Sequence, residues 1–230
     1  MKTFQDLQEG LNDPNIFKAF FLAGGPGSGK SYVVRKTTGG TGLQIVNSDD
    51  AFERYLKIAG LSQKMPEDET AERDVERARA KRVTKARKSG YIEGRLGIII
   101  DGTGKDYDKI AKQSIQLRQL GYDTHMIFVN TSLDVALARN AKRSRSVPES
   151  IAVRSWKDVQ SNIGKFSQHF RQNFIVVDNN DSSKDDGQVF NDVFKQIRGL
   201  LKKKVTSPIA KQWVMQQMKD RGITKAPKGF

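Results

Sequence analysis

The chain has 230 residues, a formal charge of +14 and no cysteine. Its length supports a buried core in one domain, the missing cysteines exclude disulfides and thiolate metal sites, and no apolar run approaches the ~20 residues of a membrane span. With no signal-peptide pattern at the N-terminus, the expectation is a soluble, cytoplasmic protein with no membrane partner, whose charge favours nucleotides, nucleic acid or acidic sugars.

Residues Met1 to Phe17 are polar and include Asn12-Asp13-Pro14, a turn signal, so a short lead-in helix and a loop are expected. Lys18 to Ala23 reads as the first strand. It runs into Gly24-Gly25-Pro26-Gly27-Ser28-Gly29-Lys30-Ser31, which fits G-x-x-x-x-G-K-[ST], the phosphate-binding loop or Walker A motif. Gly24, Gly27 and Gly29 can take positive φ and leave room for a triphosphate against bare backbone. The N–H groups of the loop and the start of the next helix supply donors and partial positive charge. Gly25, Pro26, Gly27, Ser28, Gly29, Lys30, Ser31 and Tyr32 are therefore the expected contacts of ATP or GTP. Lys30 should reach the β- and γ-phosphates and the Ser31 hydroxyl should ligate Mg²⁺.

A helix over Ser31 to Thr37 is followed by a glycine-rich break and a second strand, Leu43 to Val46, ending at Asn47-Ser48-Asp49-Asp50. A carboxylate there can face the γ-phosphate and accept the proton of an incoming hydroxyl. The plain alternative is that the pair caps the Ala51 to Ala59 helix. Pro66 to Lys88 reads as a long helix with acids first, bases last and a thin apolar stripe of Val75, Ala78, Val83 and Ala86, so it is solvated or faces a charged ligand. Gly97 to Asp101 is a third strand ending in an acid, able to hold Mg²⁺ through water. In Gly102-Thr103-Gly104-Lys105 small residues admit a substrate, Thr103 offers a hydroxyl and Lys105 a charge.

Helices are expected over Lys105 to Leu120 and Ser132 to Ser144, flanking a fourth strand, Thr124 to Asn130. Arg139, Arg143 and Arg145 could lie over the phosphates; Arg139 and Arg145 are favoured over Arg143, against the plain reading of a solvated helix end. Ser146-Val147-Pro148-Glu149 reads as a capping box opening another helix. Phe174 to Asp178 is the fifth strand, and Phe190 to Leu201 has helical period. His125 and His169 stand alone, and Trp156 and Trp213 read as core. Strands alternating with helices predict an α/β fold: a P-loop NTPase-type parallel sheet of about five strands with helices on both faces. From Lys195 onward ten bases face one acid, Asp220. Residues 1–205 are expected to form the P-loop domain, and 206–230 a basic, helical C-terminal tail with nucleic acid as a candidate partner.

The phosphate loop, Val46-Asn47-Ser48-Asp49, Asp101-Gly102-Thr103-Gly104-Lys105, Gly121-Tyr122 and the arginines before Pro148 together resemble the zeta toxin family of P-loop kinases, over about Phe20 to Phe166. That family transfers phosphate from ATP or GTP to a hydroxyl of a UDP-amino sugar. The resemblance implies Asp49 as base, with Lys30, Arg139 and Arg145 on the phosphates. It implies Asp101, Thr103 and Lys105 at the substrate. Beside the resemblance, Asp50 is expected at the substrate, and Ser31 and Asp101 at Mg²⁺. Asp101 and Lys105 stand where the family usually has Glu and Arg. Phage polynucleotide 5′-hydroxyl kinases are the nearest rival, sharing the Asn-x-Asp-Asp run; their substrate arginine, three residues beyond the base, corresponds to Phe52 here. A third reading is a nucleotide-switched nucleic-acid or partner-binding module acting through the tail. The sequence specifies no antitoxin partner.

Overall fold

The computed structural model describes residues 10–63, 66–143, 146–180 and 186–226. The side chains of Glu67 and of residues 186–190 are outside this description, as is most of the expected lead-in helix; Gly10–Asn12 form one 3₁₀ turn. Five strands, β1 (Lys18–Ala23), β2 (Gln44–Val46), β3 (Ile98–Asp101), β4 (Asp123–Asn130) and β5 (Phe174–Asp178), form one sheet in the order β2-β3-β1-β4-β5, every neighbouring pair parallel. The expected five-stranded parallel α/β architecture is present.

β1 sits in the middle and all six of its residues are buried. An uninterrupted apolar run suits a strand covered on both faces. Phe20 and Leu22 point to one side, where α1 (Lys30–Thr38) and α8 (Asp186–Lys202) bring Val33, Val34, Val193 and Ile197. Ala19, Phe21 and Ala23 point to the other, against α4 (Tyr107–Gln119) and α7 (Ile163–Phe170), with Leu117, Phe166 and Phe170. α9 (Pro208–Asp220) joins this second layer: Ala210 and Val214 are buried, Trp213 packs edge-on to Phe17, and a Cβ on Gly121 would come within 3.1 Å of three Ala210 atoms. The expected helix of the basic C-terminal tail is present, and it packs on the core layer because Ala210, Trp213 and Val214 share the face that meets Phe17 and Gly121.

The second strand begins one residue later than expected, and α2 (Ser48–Ile58) begins three earlier than the expected Ala51. The cap is Asn47, whose side chain accepts from the Asp49 N–H at 2.7 Å, so Asp49 and Asp50 lie inside the first turn rather than capping it. α5 (Leu133–Ala141) stops short of Ser144, and the segment after Pro148 is split into α6 (Glu149–Ser161) and α7 at Asn162. The capping box at Ser146 does not form. α6 starts with Pro148 at its cap and no side-chain cap bond, because Pro148 occupies the position Ser146 would need and brings no N–H. The loop is held by Asn140, which accepts from the Val147 N–H and donates to its carbonyl. Among the described residues no helix is long and apolar enough to cross a membrane.

Candidate active site

In a parallel sheet, ligands bind beyond the carboxyl ends of the strands. Here β1 ends at the phosphate loop, β2 at Asn47 and β3 at Asp101. Gly24, Gly27 and Gly29 have φ of 155°, 77° and 83°. A Cβ on Gly27 would stand 2.0 Å from the Ala136 carbonyl oxygen, so the loop lies directly against α5 and admits only glycine there. Asn179, after β5, donates to the Ser28 carbonyl at 2.8 Å, and Thr131 donates to the same oxygen. Among the described residues no protein acceptor takes the N–H groups of Gly27, Gly29, Lys30 or Ser31. Four donors gathered at a helix start form an anion cradle. The Ser28 hydroxyl is buried beneath it without a partner.

Lys30 Nζ donates to the carbonyls of Gly24 at 2.6 Å and Gly25 at 3.3 Å. Burial lowers its pKa, and nearby Arg143 does so further, while Asp101 and Asp49 oppose them. Asp101 accepts from Asn47 Nδ2 at 3.0 Å. Its pKa is raised to about 6, chiefly by burial; Lys30 acts against this, and Asp49 and Asp50 add to it. Asp101 is therefore within electrostatic reach of all three.

A cleft of about 470 Å³ opens over this cluster, lined among others by Pro26, Lys30, Asp49, Thr103, Lys105 and Arg143. The Thr103 carbonyl accepts from the Gly24 N–H at 2.9 Å, tying the Gly-Thr-Gly-Lys turn to the phosphate loop. Asn162 Nδ2 donates to the carbonyls of Gly104 at 3.1 Å and Lys105 at 2.9 Å, fixing the turn from the other side. The opposite wall is α3 (Thr70–Glu93), which contributes Arg73, Asp74 and Arg77. Arg77 pairs with Asp49 at 3.6 Å and lies 4.7 Å over the buried Phe52 ring.

Several sequence-selected residues thus meet in one place: Pro26, Lys30, Asp49, Thr103 and Lys105 line the cleft, with Asp101 beneath. Arg139 stands behind the loop, near Gly29, with Nη1 donating to the Asn179 carbonyl at 2.7 Å. Arg145 lies outside the described residues, whereas Arg143, the less favoured arginine, lines the cleft. Tyr32 and Ser31 are exposed on the first turn of α1. Both histidines are elsewhere: His125 is buried on Phe20 with its pKa lowered to about 3, mainly by burial, and His169 pairs with Ser114. Trp156 covers the phosphate loop at Gly25 and donates to the Thr131 carbonyl.

Sequence reasoning missed Arg73, Arg77, Asn47, Asn162 and Asn179. The spacing of Arg73 and Arg77, one turn apart on a helix with little apolar face, was a signal for the first two. The asparagines act through contacts across 54 to 151 residues, which no local pattern announces.

A family model described as Zeta toxin matches residues 5–186. The chain belongs to the Zeta toxin family. It is a P-loop phosphotransferase, a nucleotide-dependent kinase of that family. No match is found by sequence among curated proteins. Its fold is similar to a structure of the PezAT toxin–antitoxin system of Streptococcus pneumoniae, at 14% identity and a TM-score of 0.55, over 86% of this chain and 93% of that one. It is also similar to an AvrRxo1-ORF1:-ORF2 complex with ATP, at 14% identity and 0.54, over 76% of this chain and 61% of that one. A chain of the Pnkp1/Rnl/Hen1 RNA repair complex matches at 19% and 0.50, over 66% of this zeta-family chain and 47% of its own. At such identities the likeness is one of fold.

Proposed function

We propose that this zeta-family kinase transfers the γ-phosphate of ATP or GTP to a hydroxyl of an anionic acceptor, with Asp49 as the base. The observation that carries this is the meeting of Asp49, from the first turn of α2, and Lys30, from the first turn of α1, on one cleft. The donors of Gly27, Gly29, Lys30 and Ser31 receive the phosphates, and Gly25, Pro26, Ser28 and Tyr32 complete the nucleotide site. Asp49 takes the acceptor proton as the acceptor oxygen bonds to the γ-phosphorus; the bond from phosphorus to the bridging oxygen breaks, and the nucleoside diphosphate leaves. Lys30 and Arg143, both on the cleft, balance the charge on the phosphoryl oxygens, with Arg139 and Arg145 added by the family resemblance, and Asp50, Asp101, Thr103 and Lys105 hold the acceptor.

The donor set fits Mg²⁺. The ion prefers oxygen ligands, keeps several waters and needs few carboxylates, and Ser31 with Asp101 offers a hydroxyl and one carboxylate. Asp101 is a buried acid whose ionisation is opposed by burial and by two neighbouring carboxylates, which a divalent cation would relieve. Bound there, it would draw charge from the β- and γ-phosphate oxygens.

The family resemblance favours a UDP-amino sugar as acceptor; a 5′-hydroxyl oligonucleotide is the second reading, favoured by the basic residues Arg73, Arg77, Lys105 and Arg143 on the cleft walls. Both are offered with labelled ATP to the wild type and to Asp49→Asn. Transfer should fall by about 10²–10⁴-fold in the variant, while ATP binding is kept. Undiminished transfer by Asp49→Asn would remove the base assignment.

A further inference from the structure

The cleft does not end at Arg77. Between residues 77 and 88, α3 carries seven basic side chains and no acid. Arg79, Lys81, Arg82, Lys85 and Arg87 are all exposed. Ala80 is the one residue of the helix that is buried, against Phe52 and Leu56 of α2, so the outer face of α3 has no partner among the described residues. Arg73, Arg77, Lys81 and Lys85 follow one another at four-residue intervals. On a helix this makes a row that rises about 6 Å and winds about 40° per step, from the cleft toward the exposed face. The first two line the cleft, and the next two continue the row outside it. Lys88 and Lys109 extend the patch onto α4: Lys88 Nζ donates to Gln113 Oε1, and burial together with Lys109 lowers the Lys88 pKa.

We infer that this face of α3 is a docking surface for single-stranded nucleic acid, running out of the mouth of the cleft. Charge complementarity selects a polyanion. The chemistry on the face selects a phosphate backbone rather than an acidic protein: a protein interface has an apolar core, whereas α3 exposes a single large apolar side chain, Val75 at its cleft end, and none between residues 77 and 93. A row of evenly spaced cations suits a repeating backbone charge. A cleft of about 470 Å³ leaves room for a strand end and not for a duplex. The part of the row beyond Arg77 lies outside the cleft that holds Lys30 and Asp49, and it stands whichever acceptor the kinase uses.

The test is fluorescence anisotropy with a labelled single strand about 16 nucleotides long, the upper range of single-strand site sizes, titrated between about 50 and 200 mM salt. The triple variant Lys81→Glu, Arg82→Glu, Lys85→Glu should bind at least about tenfold more weakly. The slope of log affinity against log salt should flatten by about 2, for three lost phosphate contacts. The milder Lys81→Gln, Arg82→Gln, Lys85→Gln should show the same direction, and unchanged melting temperature and ATP binding would show both are folded. Reversing Lys211 and Lys219 on α9 should leave strand binding as it is. Equal binding by wild type and both α3 variants would overturn the proposal. So would loss of binding through α9 alone, or competition by polyglutamate as effective as that by the oligonucleotide. None of these outcomes touches the Asp49 assignment, which is read by transfer.

Discussion

Asp101 closes β3 with its carboxylate accepting from Asn47 and facing Lys30, and its neighbours Asp49 and Asp50 repel it. Its folded pKa of about 6 is above the ordinary 3.8, so the folded state binds the proton more tightly than the unfolded chain. The stability linked to that proton is fully present below the unfolded pKa and is lost as pH rises through about 6. At pH above that window the ionised Asp101 is a net cost, which Lys30 offsets only in part. Asp101→Asn should therefore be more stable than the wild type at alkaline pH, by about 3 kcal/mol, with the gap closing toward acid; thermal melts across the window measure it. The same variant should lose phosphoryl transfer and Mg²⁺ dependence, since an amide cannot supply the charge. A variant less stable than the wild type at alkaline pH would show that the raised pKa has been misattributed. Asp49 is half exposed and pairs with Arg77 at 3.6 Å.

The turn after β3 shows how elements, rather than single residues, set the acceptor side. Gly104 has φ of 84°, and a Cβ there would stand 2.6 Å from that of Ala23, so the turn is pressed against the end of β1. Asn162, buried at the junction of α6 and α7, holds the two carbonyls of Gly104 and Lys105. Asn162→Ala leaves both acceptors unpaired, at a cost of about 1–3 kcal/mol. Because the turn carries Thr103 and Lys105, the KM for the acceptor should rise more than the KM for ATP. Steady-state kinetics against both substrates reads the split, and equal effects on the two would deny the turn a role at the acceptor. The strands and the phosphate loop were legible because their signals are local: five apolar runs, a glycine motif, an acid at a strand end. The turn residues were legible as types. Asn162, Asn140 and Asn179 were not, because an asparagine that satisfies a distant carbonyl leaves the same mark in sequence as one on the surface. The Ser146 motif misled for the related reason that Pro148, two residues on, took the cap position first.

At the scale of the whole molecule, charge and core overlap at the C-terminus. The ten bases after residue 194 make a basic tail, and its helix carries Ala210, Trp213, Val214 and Met218 on one side, a face already legible in the sequence. α9 turns Ala210 and Val214 into the layer containing Leu117, Tyr122 and Phe17, while Lys211 and Lys219 stay outside. Val205 is buried on the approach, and Arg95 lies 5.8 Å over the Trp213 ring. Burying Val214 and most of Trp213 is worth about 3–5 kcal/mol, a large part of the total stability of about 5–15 kcal/mol typical of a domain. Removing everything after residue 205 should therefore lower the melting temperature of the entire chain, and ATP binding should fall with it because the phosphate loop hangs on the same sheet. Replacing Lys211 and Lys219 by Gln tests the charge without the core, and should leave both melting and ATP binding unchanged. If the truncated chain melts like the full one while the charge-neutralised chain loses ATP binding, α9 is an arm after all and the core described for this face ends at Val205.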